Sequence, residues 1–357
     1  MSTGLANLAA ELEFRLTGHS LVDRLEPALA SAIPDAPSYV LALFDGLGSG
    51  QLGHRAAQSL AGASVGSIAA PFPTTTTVSM ATIATATHPV THGVIGHQMW
   101  VPELESVVNV LKWTGQHGTR IEFDTEGFLP EPNLWERLRR AGVEPVTIQP
   151  GDFAGSPLTK MLYRGCRFEP VYTDAERLEA TIEMARVPGR LVFVYFAEVD
   201  YAAHVAGQRT PMYDEAVGRV DTAWSILSSR LPDGVTLIGT ADHGHVDFSE
   251  DQKLLIRDPA YRSLTFFGDP RGVMVRGDRG LVERLTRETG AAVVERDVLV
   301  RRLGPGAHHP DLESRLPDVL LDPPADRILV PRGFDKRLVG YHGGLSAAEV
   351  DVPLLIS

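Results

Sequence analysis

The sequence predicts an α/β fold in which a mainly parallel central sheet is flanked by helices and covered by inserted cap segments. Three apolar segments rich in β-branched residues, 39–44, 191–200 and 234–244, end in or directly before acidic residues. Helical patterns and short turns separate these segments, an alternation typical of βαβ units with parallel strands. Polar residues collect where the strands end, at the sheet edge that binds ligands in such folds.

Helices are predicted where apolar residues recur with a helical spacing. Residues 5–16 and 20–31 show this spacing before the first strand. The later helical patterns cover residues 78–87, 132–141, 174–187 and 212–231, with a weaker strand at 144–148.

Two stretches fit the alternation poorly, residues 97–127 and 247–340. The second contains one strand pattern at 272–275 and one helical pattern at 281–289. We interpret both stretches as insertions into one catalytic domain that spans residues 1–357, where they form a cap over the substrate pocket.

Composition and charge exclude several classes of protein. The 357 residues are 43% hydrophobic and 22% charged, which is typical of globular proteins and not of disordered chains. The net charge of -12 argues against a long nucleic acid as partner, because such ligands are held by excess cationic residues. The sequence shows neither a signal-like N-terminus nor a membrane-spanning run, so a cytoplasmic location and no membrane partner are predicted. Cys166 is the single cysteine, so any metal must lie on His and carboxylate ligands.

Two candidate residues follow from the first part of the chain. Asp45 ends a buried strand and precedes glycines, where it could bind a ligand or merely cap the next helix. Thr74–Thr77 precede a helix of small residues. A hydroxyl at a helix N-terminus faces unpaired N–H groups and suits a nucleophile that attacks an anion. A threonine-rich N-cap is the alternative.

The later candidates are pairs of metal-binding side chains near strand ends. Asp200 and His204 stand one helical turn apart, so that both can face one cation. Asp242 and His243 follow a strand directly, and His342 lies next to glycines near the C-terminus. Each alone is a weak signal, since a single His is more often a surface or core residue. His245 and Asp247 are candidates for orienting these ligands, with a solvated turn as the alternative.

The order Asp, Thr, Asp-x-x-x-His, Asp-His, His, together with FPTTTT and THG, resembles the alkaline phosphatase superfamily. The most similar branch is the nucleotide pyrophosphatase/phosphodiesterase (type I phosphodiesterase) branch. The resemblance covers residues 39–244 and resumes at 340–357. It implies an alkaline phosphatase-like core and an enzyme that hydrolyses phosphoric esters.

The resemblance implies a site with two divalent metal ions, with Zn²⁺ as the first choice and Mn²⁺ as the alternative. One ion would be bound by Asp200, His204 and His342. The other would be bound by residues from three parts of the chain: Asp45, Asp242, His243 and the oxygen of the nucleophilic threonine. The family pattern makes that nucleophile the third threonine of the run, Thr76, with Thr75 as the alternative register.

His97 departs from the pattern of the diesterase relatives, which carry an Asn at this point after the H-G motif. An imidazole can also donate a hydrogen bond to a phosphoryl oxygen, so the resemblance implies that role for His97. We expect its charge to change with pH near neutrality, as for an ordinary histidine.

The predicted function is hydrolysis of phosphodiester or pyrophosphate bonds in small nucleotides through a covalent phospho-threonine. The substrate would be a linear or cyclic dinucleotide, a nucleotide sugar or a dinucleoside polyphosphate. The alternatives are a phosphomonoesterase, a phosphonoacetate-type phosphonate hydrolase, and an inactive metal-binding regulatory protein. The sequence assigns no substrate-binding residue and no oligomeric state.

Overall fold

A computed structural model describes residues 3–357. In chain order its strands are β1 (Ser38–Phe44), β2 (Ser64–Ala69), β3 (Gln98–Val101), β4 (Ser106–Asn109), β5 (Thr114–Gly115), β6 (Glu144–Pro150), β7 (Arg167–Val171), β8 (Arg190–Phe196), β9 (Val235–Thr240), β10 (Val246–Asp247), β11 (Lys253–Leu255), β12 (Thr265–Asp269), β13 (Gly272–Arg276), β14 (Ala292–Glu295), β15 (Val319–Asp322), β16 (Ile328–Val330), β17 (Gly340–Tyr341) and β18 (Asp351–Ile356).

The α-helices are α1 (Leu5–Thr17), α2 (Pro27–Ala30), α3 (Gln58–Gly62), α4 (Thr76–Thr85), α5 (Pro89–His92), α6 (Leu134–Arg140), α7 (Pro157–Leu162), α8 (Asp174–Ala185), α9 (Glu198–Ala206), α10 (Pro211–Arg230), α11 (Arg279–Thr289), α12 (Arg296–Arg302), α13 (Leu312–Arg315) and α14 (Ala347–Val350). None of the helices within residues 3–357 combines the length and hydrophobicity needed to cross a membrane.

The central sheet confirms the predicted α/β fold. Its seven strands have the order β2-β18-β9-β1-β8-β6-β7, and β9, β1, β8, β6 and β7 run parallel. All seven residues of β1 and of β8 are buried, because helices cover both faces of the sheet. This double burial explains why both strands appear in the sequence as continuous apolar runs.

Three predicted elements have clearly different bounds in the structure. The strand expected over 234–244 ends at Thr240, so Asp242 and His243 lie beyond it. The strand expected over 191–200 ends at Phe196, and α9 begins at Glu198, so Asp200 lies in the first turn of a helix. The helix expected over 20–31 is reduced to the four residues of α2, which begins at Pro27. Proline is tolerated in the first turn of a helix but interrupts one that arrives from upstream.

A second sheet lies apart from the parallel one and is antiparallel throughout. Its order is β14-β15-β13-β12-β3-β4-β5. Its strands come from residues 97–127 and 247–340, the two stretches that break the βα alternation of the sequence. The bond between Gly268 of β12 and Gln98 of β3 joins them. That the whole chain is one catalytic domain stays a prediction.

Candidate active site

Three adjacent strands of the central sheet bring the predicted residues to one edge. β1 lies between β8 and β9, and all three are parallel, so their carboxyl ends meet at the same place. Asp45 follows β1, Asp200 lies in the first turn of the helix after β8, and Asp242 follows β9 by two residues. The backbone also links these ends, since Asp200 N–H donates to the Asp45 carbonyl at 3.0 Å.

Four side chains form what we call the Asp200 cluster, with ligand atoms within 4.8 Å of one another: Asp200, His204, His245 and His342. His204 Nδ1 lies 2.8 Å from the Gly340 carbonyl, and His342 Nδ1 lies 2.8 Å from the Thr74 carbonyl. A carbonyl only accepts, so each Nδ1 carries the proton and each Nε2 presents a lone pair.

The two Nε2 atoms of His204 and His342 lie 3.3 Å apart. Because both are acceptors, they cannot hydrogen-bond each other, and only a cation or a donor between them satisfies both. Asp200 Oδ1 is 3.3 Å from His204 Nε2 and 4.0 Å from His342 Nε2. A carboxylate and two imidazoles oriented through backbone carbonyls are the donor set and surroundings of a metal site.

Three further side chains form the Asp45 cluster: Asp45, Asp242 and His243. Asp45 Oδ2 accepts a hydrogen bond from Tyr195, while its Oδ1 is buried without a hydrogen-bond partner among the described residues. Asp242 Oδ1 accepts from the N–H groups of Gly46 and His243, both at 3.0 Å, and its buried Oδ2 likewise has no partner. His243 Nε2 is 3.6 Å from Asp45 Oδ1 and 3.4 Å from Asp242 Oδ2.

Burial and the neighbouring Asp242 and Asp200 carboxylates raise the pKa of Asp45 well above its ordinary value. Burying carboxylates next to one another is costly unless a cation compensates them. The unpartnered oxygens of Asp45 and Asp242 face such a position together with His243, so the residues fit a divalent metal.

Thr76 is the first residue of α4, and its Oγ1 lies 3.2 Å from His243 Nε2. Thr75 is the N-cap, and its hydroxyl is fully buried without a hydrogen-bond partner among residues 3–357. Ser79, one turn into α4, donates to the Asp242 carbonyl at 2.7 Å and fastens the helix to the end of β9. Thr76 is therefore the threonine whose hydroxyl contacts the Asp45 cluster, and its role as nucleophile stays a prediction.

His245 and Asp247 have different surroundings. His245 Nε2 is 2.8 Å from Asp200 Oδ1, so the imidazole contacts a proposed metal ligand directly. Asp247 instead accepts from the backbone N–H of Gln208 at 2.8 Å and, among the described residues, makes no hydrogen bond to a predicted metal ligand. That His245 orients a metal ligand stays a prediction.

His97 lies in the cavity beside Thr76, where Asn109 of β4 approaches its Nε2 at 3.1 Å. The Asn109 amide nitrogen is a donor, so Nε2 accepts and the proton lies on Nδ1, for which the described residues offer no partner. Burial, helped by His204 and Lys112, lowers the pKa of His97 to about 4. The expected charge change near neutrality is therefore wrong: the ring is neutral at pH 7 and still has one N–H to donate.

The cavity beside Thr76, here the Thr76 cavity, has a volume of about 200 Å³. Its walls include Thr76, Asp200, His204 and His342 from the central site. The rest comes mainly from the second sheet and the segment after β16: His97, Gln98, Leu111, Gly268, Asp269, Pro270, Phe334, Asp335, Leu338 and Tyr341. Among residues 3–357, the side chains that line it include neither Lys nor Arg.

Asp269 is a residue of this cavity that the sequence does not reveal. It ends β12, is buried, and accepts from the His97 N–H at 3.4 Å. A Cβ on Gly343 would lie 2.6 Å from the Asp269 Cβ, so the loop after His342 packs directly against it. Burial raises the pKa of Asp269 to about 7. No motif surrounds it, because only the pairing of the second sheet brings it to the site.

The sheet and the site define a metal-dependent phosphoric ester hydrolase of the alkaline phosphatase superfamily. Residues 40–320 match the family described as Type I phosphodiesterase / nucleotide pyrophosphatase, and the chain belongs to that family. Sequence comparison with curated proteins gives no significant match.

Solved structures support the fold. Murine ectonucleotide pyrophosphatase / phosphodiesterase 5 is 17% identical with a TM-score of 0.67, covering 88% of this chain and 87% of its own. An inactive variant of that protein has been solved in complex with AMP. Phosphonoacetate hydrolase from Sinorhizobium meliloti 1021 is also 17% identical, with a TM-score of 0.66 over 91% of both chains.

Proposed function

We propose that this protein hydrolyses phosphodiester or pyrophosphate bonds in small nucleotides, with Thr76 as the nucleophile. The observation that carries the proposal is the cavity itself. Thr76 lines it at the start of a helix, together with Asp200, His204 and His342, and Thr76 Oγ1 lies 3.2 Å from His243 Nε2 of the Asp45 cluster. The described side chains that line the cavity add no Lys or Arg. The AMP bound to an inactive variant of the murine relative supports a nucleotide as substrate.

The residues present fit two divalent ions, which we propose to be Zn²⁺ with Mn²⁺ as the alternative. Asp200, His204 and His342 would hold one. Thr76 would join the Asp45 cluster in holding the other. When bound, such a pair stabilises the negative charge on the attacking and leaving oxygens of an in-line displacement.

The chain's own groups perform the following steps in this proposal. Thr76 Oγ1 attacks phosphorus and loses its proton, the new O–P bond forms, and the bond to the leaving oxygen breaks, so that the leaving group departs with the electron pair of that bond and takes up a proton. His97 donates its Nδ1–H to a phosphoryl oxygen and orients the group. Water then cleaves the phospho-threonine, which restores Thr76 and releases the phosphate product. Two displacements give net retention at phosphorus.

Charge favours a diester over a monoester. The three carboxylates Asp45, Asp200 and Asp242 contribute -3 and two divalent ions contribute +4, so the proposed ligands and ions together carry one positive charge. The cavity lining adds the carboxyl groups of Asp269 and Asp335 and no cationic side chain among the described residues. A phosphodiester carries one negative charge, whereas a monoester carries up to two. Phosphonoacetate adds a carboxylate to its phosphonate, and the described cavity offers it neither Lys nor Arg.

The test compares turnover of bis-p-nitrophenyl phosphate and p-nitrophenyl phosphate by the Zn²⁺-reconstituted protein, with phosphonoacetate as a third substrate. We expect kcat/KM for the diester to be higher by at least about tenfold, the ratio that one uncompensated charge produces. Preference for the monoester would indicate a phosphomonoesterase, and preference for phosphonoacetate a phosphonate hydrolase. Absence of all three activities in a protein that binds metal would indicate the regulatory alternative.

A further inference from the structure

A second cavity of about 240 Å³ lies on the second sheet, and we call it the arginine cavity. Its polar walls include Arg262, Arg332, His117 and Gln116, and its apolar walls include Phe266. It shares no lining residue with the Thr76 cavity, but the same three segments of the chain contribute residues to both cavities.

Three segments line the two cavities in turn. On β12, Phe266 faces the arginine cavity, and Gly268 and Asp269 face the Thr76 cavity. After β16, Arg332 lines the arginine cavity, and Phe334, two residues later, lines the Thr76 cavity. Along β12, at about 3.3 Å per extended residue, two to three residues place the cavities about 7 to 10 Å apart.

The third segment supplies the wall between the cavities. Gln116 Nε2 donates to Gln98 Oε1 at 2.9 Å and to the Phe266 carbonyl at 2.9 Å, and Gln98 donates to the Gly333 carbonyl at 3.2 Å. A Cβ on Gly333 would lie 2.5 Å from the Gln116 side chain, so glycine is required for this contact. Gln98 lines the Thr76 cavity and Gln116 the arginine cavity, so one hydrogen-bonded pair of amides separates them.

The charges of the arginine cavity do not cancel. Its one carboxylate, Asp258, is paired with Arg284 at 2.8 Å. Arg332 donates to the Arg257 carbonyl, which carries no charge. Arg262 has neither a hydrogen bond nor an ion pair among the described residues 3–357. Two guanidinium groups are therefore available to an anion, in contrast to the Thr76 cavity, whose described walls lack Lys and Arg.

We propose that the arginine cavity binds a second anionic group of the substrate, one nucleotide away from the scissile phosphate. The inference rests on the proposed function and narrows it: of the candidate nucleotides, those with a further phosphate beyond the scissile one are the substrates. A guanidinium is suited to such a group because its planar fork binds phosphate oxygens in pairs.

The test uses two dinucleotides that differ by one phosphate, pApA and ApA, with the Zn²⁺-reconstituted protein. We expect wild-type protein to prefer pApA by about tenfold in kcat/KM, the size of one charge-assisted contact. The Arg262→Gln/Arg332→Gln double variant should lose that preference through a higher KM for pApA, with kinetics on ApA unchanged. Arg120→Gln removes a charge from an exposed residue that does not line the cavity, and it should behave as wild type.

Calorimetric binding of both dinucleotides to Thr76→Ala protein separates this inference from the proposed function. If neither dinucleotide nor bis-p-nitrophenyl phosphate is cleaved, the proposed function fails. Even then, tighter binding of pApA than of ApA that the arginine substitutions abolish supports an anion site in the arginine cavity. Equal binding of pApA and ApA, or an undiminished preference in the double variant, overturns the inference whatever the turnover.

Discussion

At the edge of the central sheet, the side chains around Thr76 are oriented largely by backbone groups, whereas the second sheet reaches the same cavity with side chains from separated segments. Carbonyls fix His204 and His342, and N–H groups fix Asp242. The cavity wall opposite depends on contacts such as Gln98 with Gln116. This difference indicates that the edge performs the reaction and that the second sheet selects the substrate. Substitutions at the edge should lower the activity on every substrate, whereas substitutions in the second sheet should lower the activity on some substrates only.

The largest expected effect is at the edge. Thr76→Ala removes the attacking oxygen, and kcat should fall at least about a thousandfold while bound metal, measured by atomic emission, stays near the wild-type level. Thr75→Ala is the matched control, since the Thr75 hydroxyl is buried without a described partner. Loss of activity in Thr75→Ala with retention in Thr76→Ala would reverse the assignment.

A second edge prediction concerns Tyr195, whose hydroxyl donates to Asp45. Tyr195→Phe leaves that carboxylate without its orienting partner, so metal affinity should fall about 10- to 100-fold. Competition with a chromogenic chelator measures the change. Tyr163→Phe removes a buried hydroxyl that contacts Gln149 instead, and its metal affinity should not change. Equal losses in both variants would show that Tyr195 acts through general stability.

His97 lies between the edge of the central sheet and the second sheet, so its replacement should lower the activity less than the loss of Thr76 does. His97→Asn keeps a donor, and diester activity should stay within about tenfold of wild type. Because burial holds the pKa of His97 at about 4, the ring is neutral from pH 6 to pH 8. The pH profiles of the wild type and of His97→Asn should therefore have the same shape in that range. A change in activity near pH 6.5 that the wild type shows and His97→Asn lacks would contradict this.

The smallest effect concerns stability and is expected in the loop between α12 and α13, where the His309 N–H donates to the Val90 carbonyl of α5. Burial lowers the pKa of His309 from 6.5 to about 4. A depressed histidine pKa stabilises the fold above pH 6.5, and that contribution is lost as the pH falls toward 4, since the unfolded chain takes up the proton first. Asn can accept the Asp311 N–H bond that His309 Nδ1 accepts.

Urea unfolding of wild type and His309→Asn at pH 7 and pH 5 measures this effect. Wild type should lose about 1 kcal/mol more than the variant between the two values, a figure reduced for partial exposure of the ring. His308→Asn is the control, because His308 is exposed. An identical loss in all three proteins would locate the pH sensitivity elsewhere.

The sequence was sufficient for the residues whose position depends on local structure. Asp45, Asp242 and His243 follow buried strands, and parallel strands meet at one edge, so their proximity follows from element type alone. Thr76 at a helix start and Asp200 with His204 one turn apart are equally local.

The walls of the cavity could not be predicted in this way. Asp269 and Gln98 reach their places through antiparallel pairing between segments more than 100 residues apart in the chain, and register of that kind depends on tertiary packing. Arg262 lies in the short turn that precedes β12 and depends on the same packing. Strand β2 was missed because most of its residues are exposed or half-buried, which gives no apolar run.

The position of strand β18 in the central sheet has a consequence for the order in which the two clusters of the site can form. It inserts between β2 and β9, and just before it the buried carboxylate of Glu349 accepts from the Gly344 N–H at 2.8 Å, in the loop that carries His342. On the ribosome, the Asp45 cluster can form once β9 has emerged, but His342 has no support until residues 342–356 follow. Non-local pairing of this kind is slow. We therefore expect a nascent chain to hold an incomplete site, and hydrolytic activity to appear only when the central sheet closes.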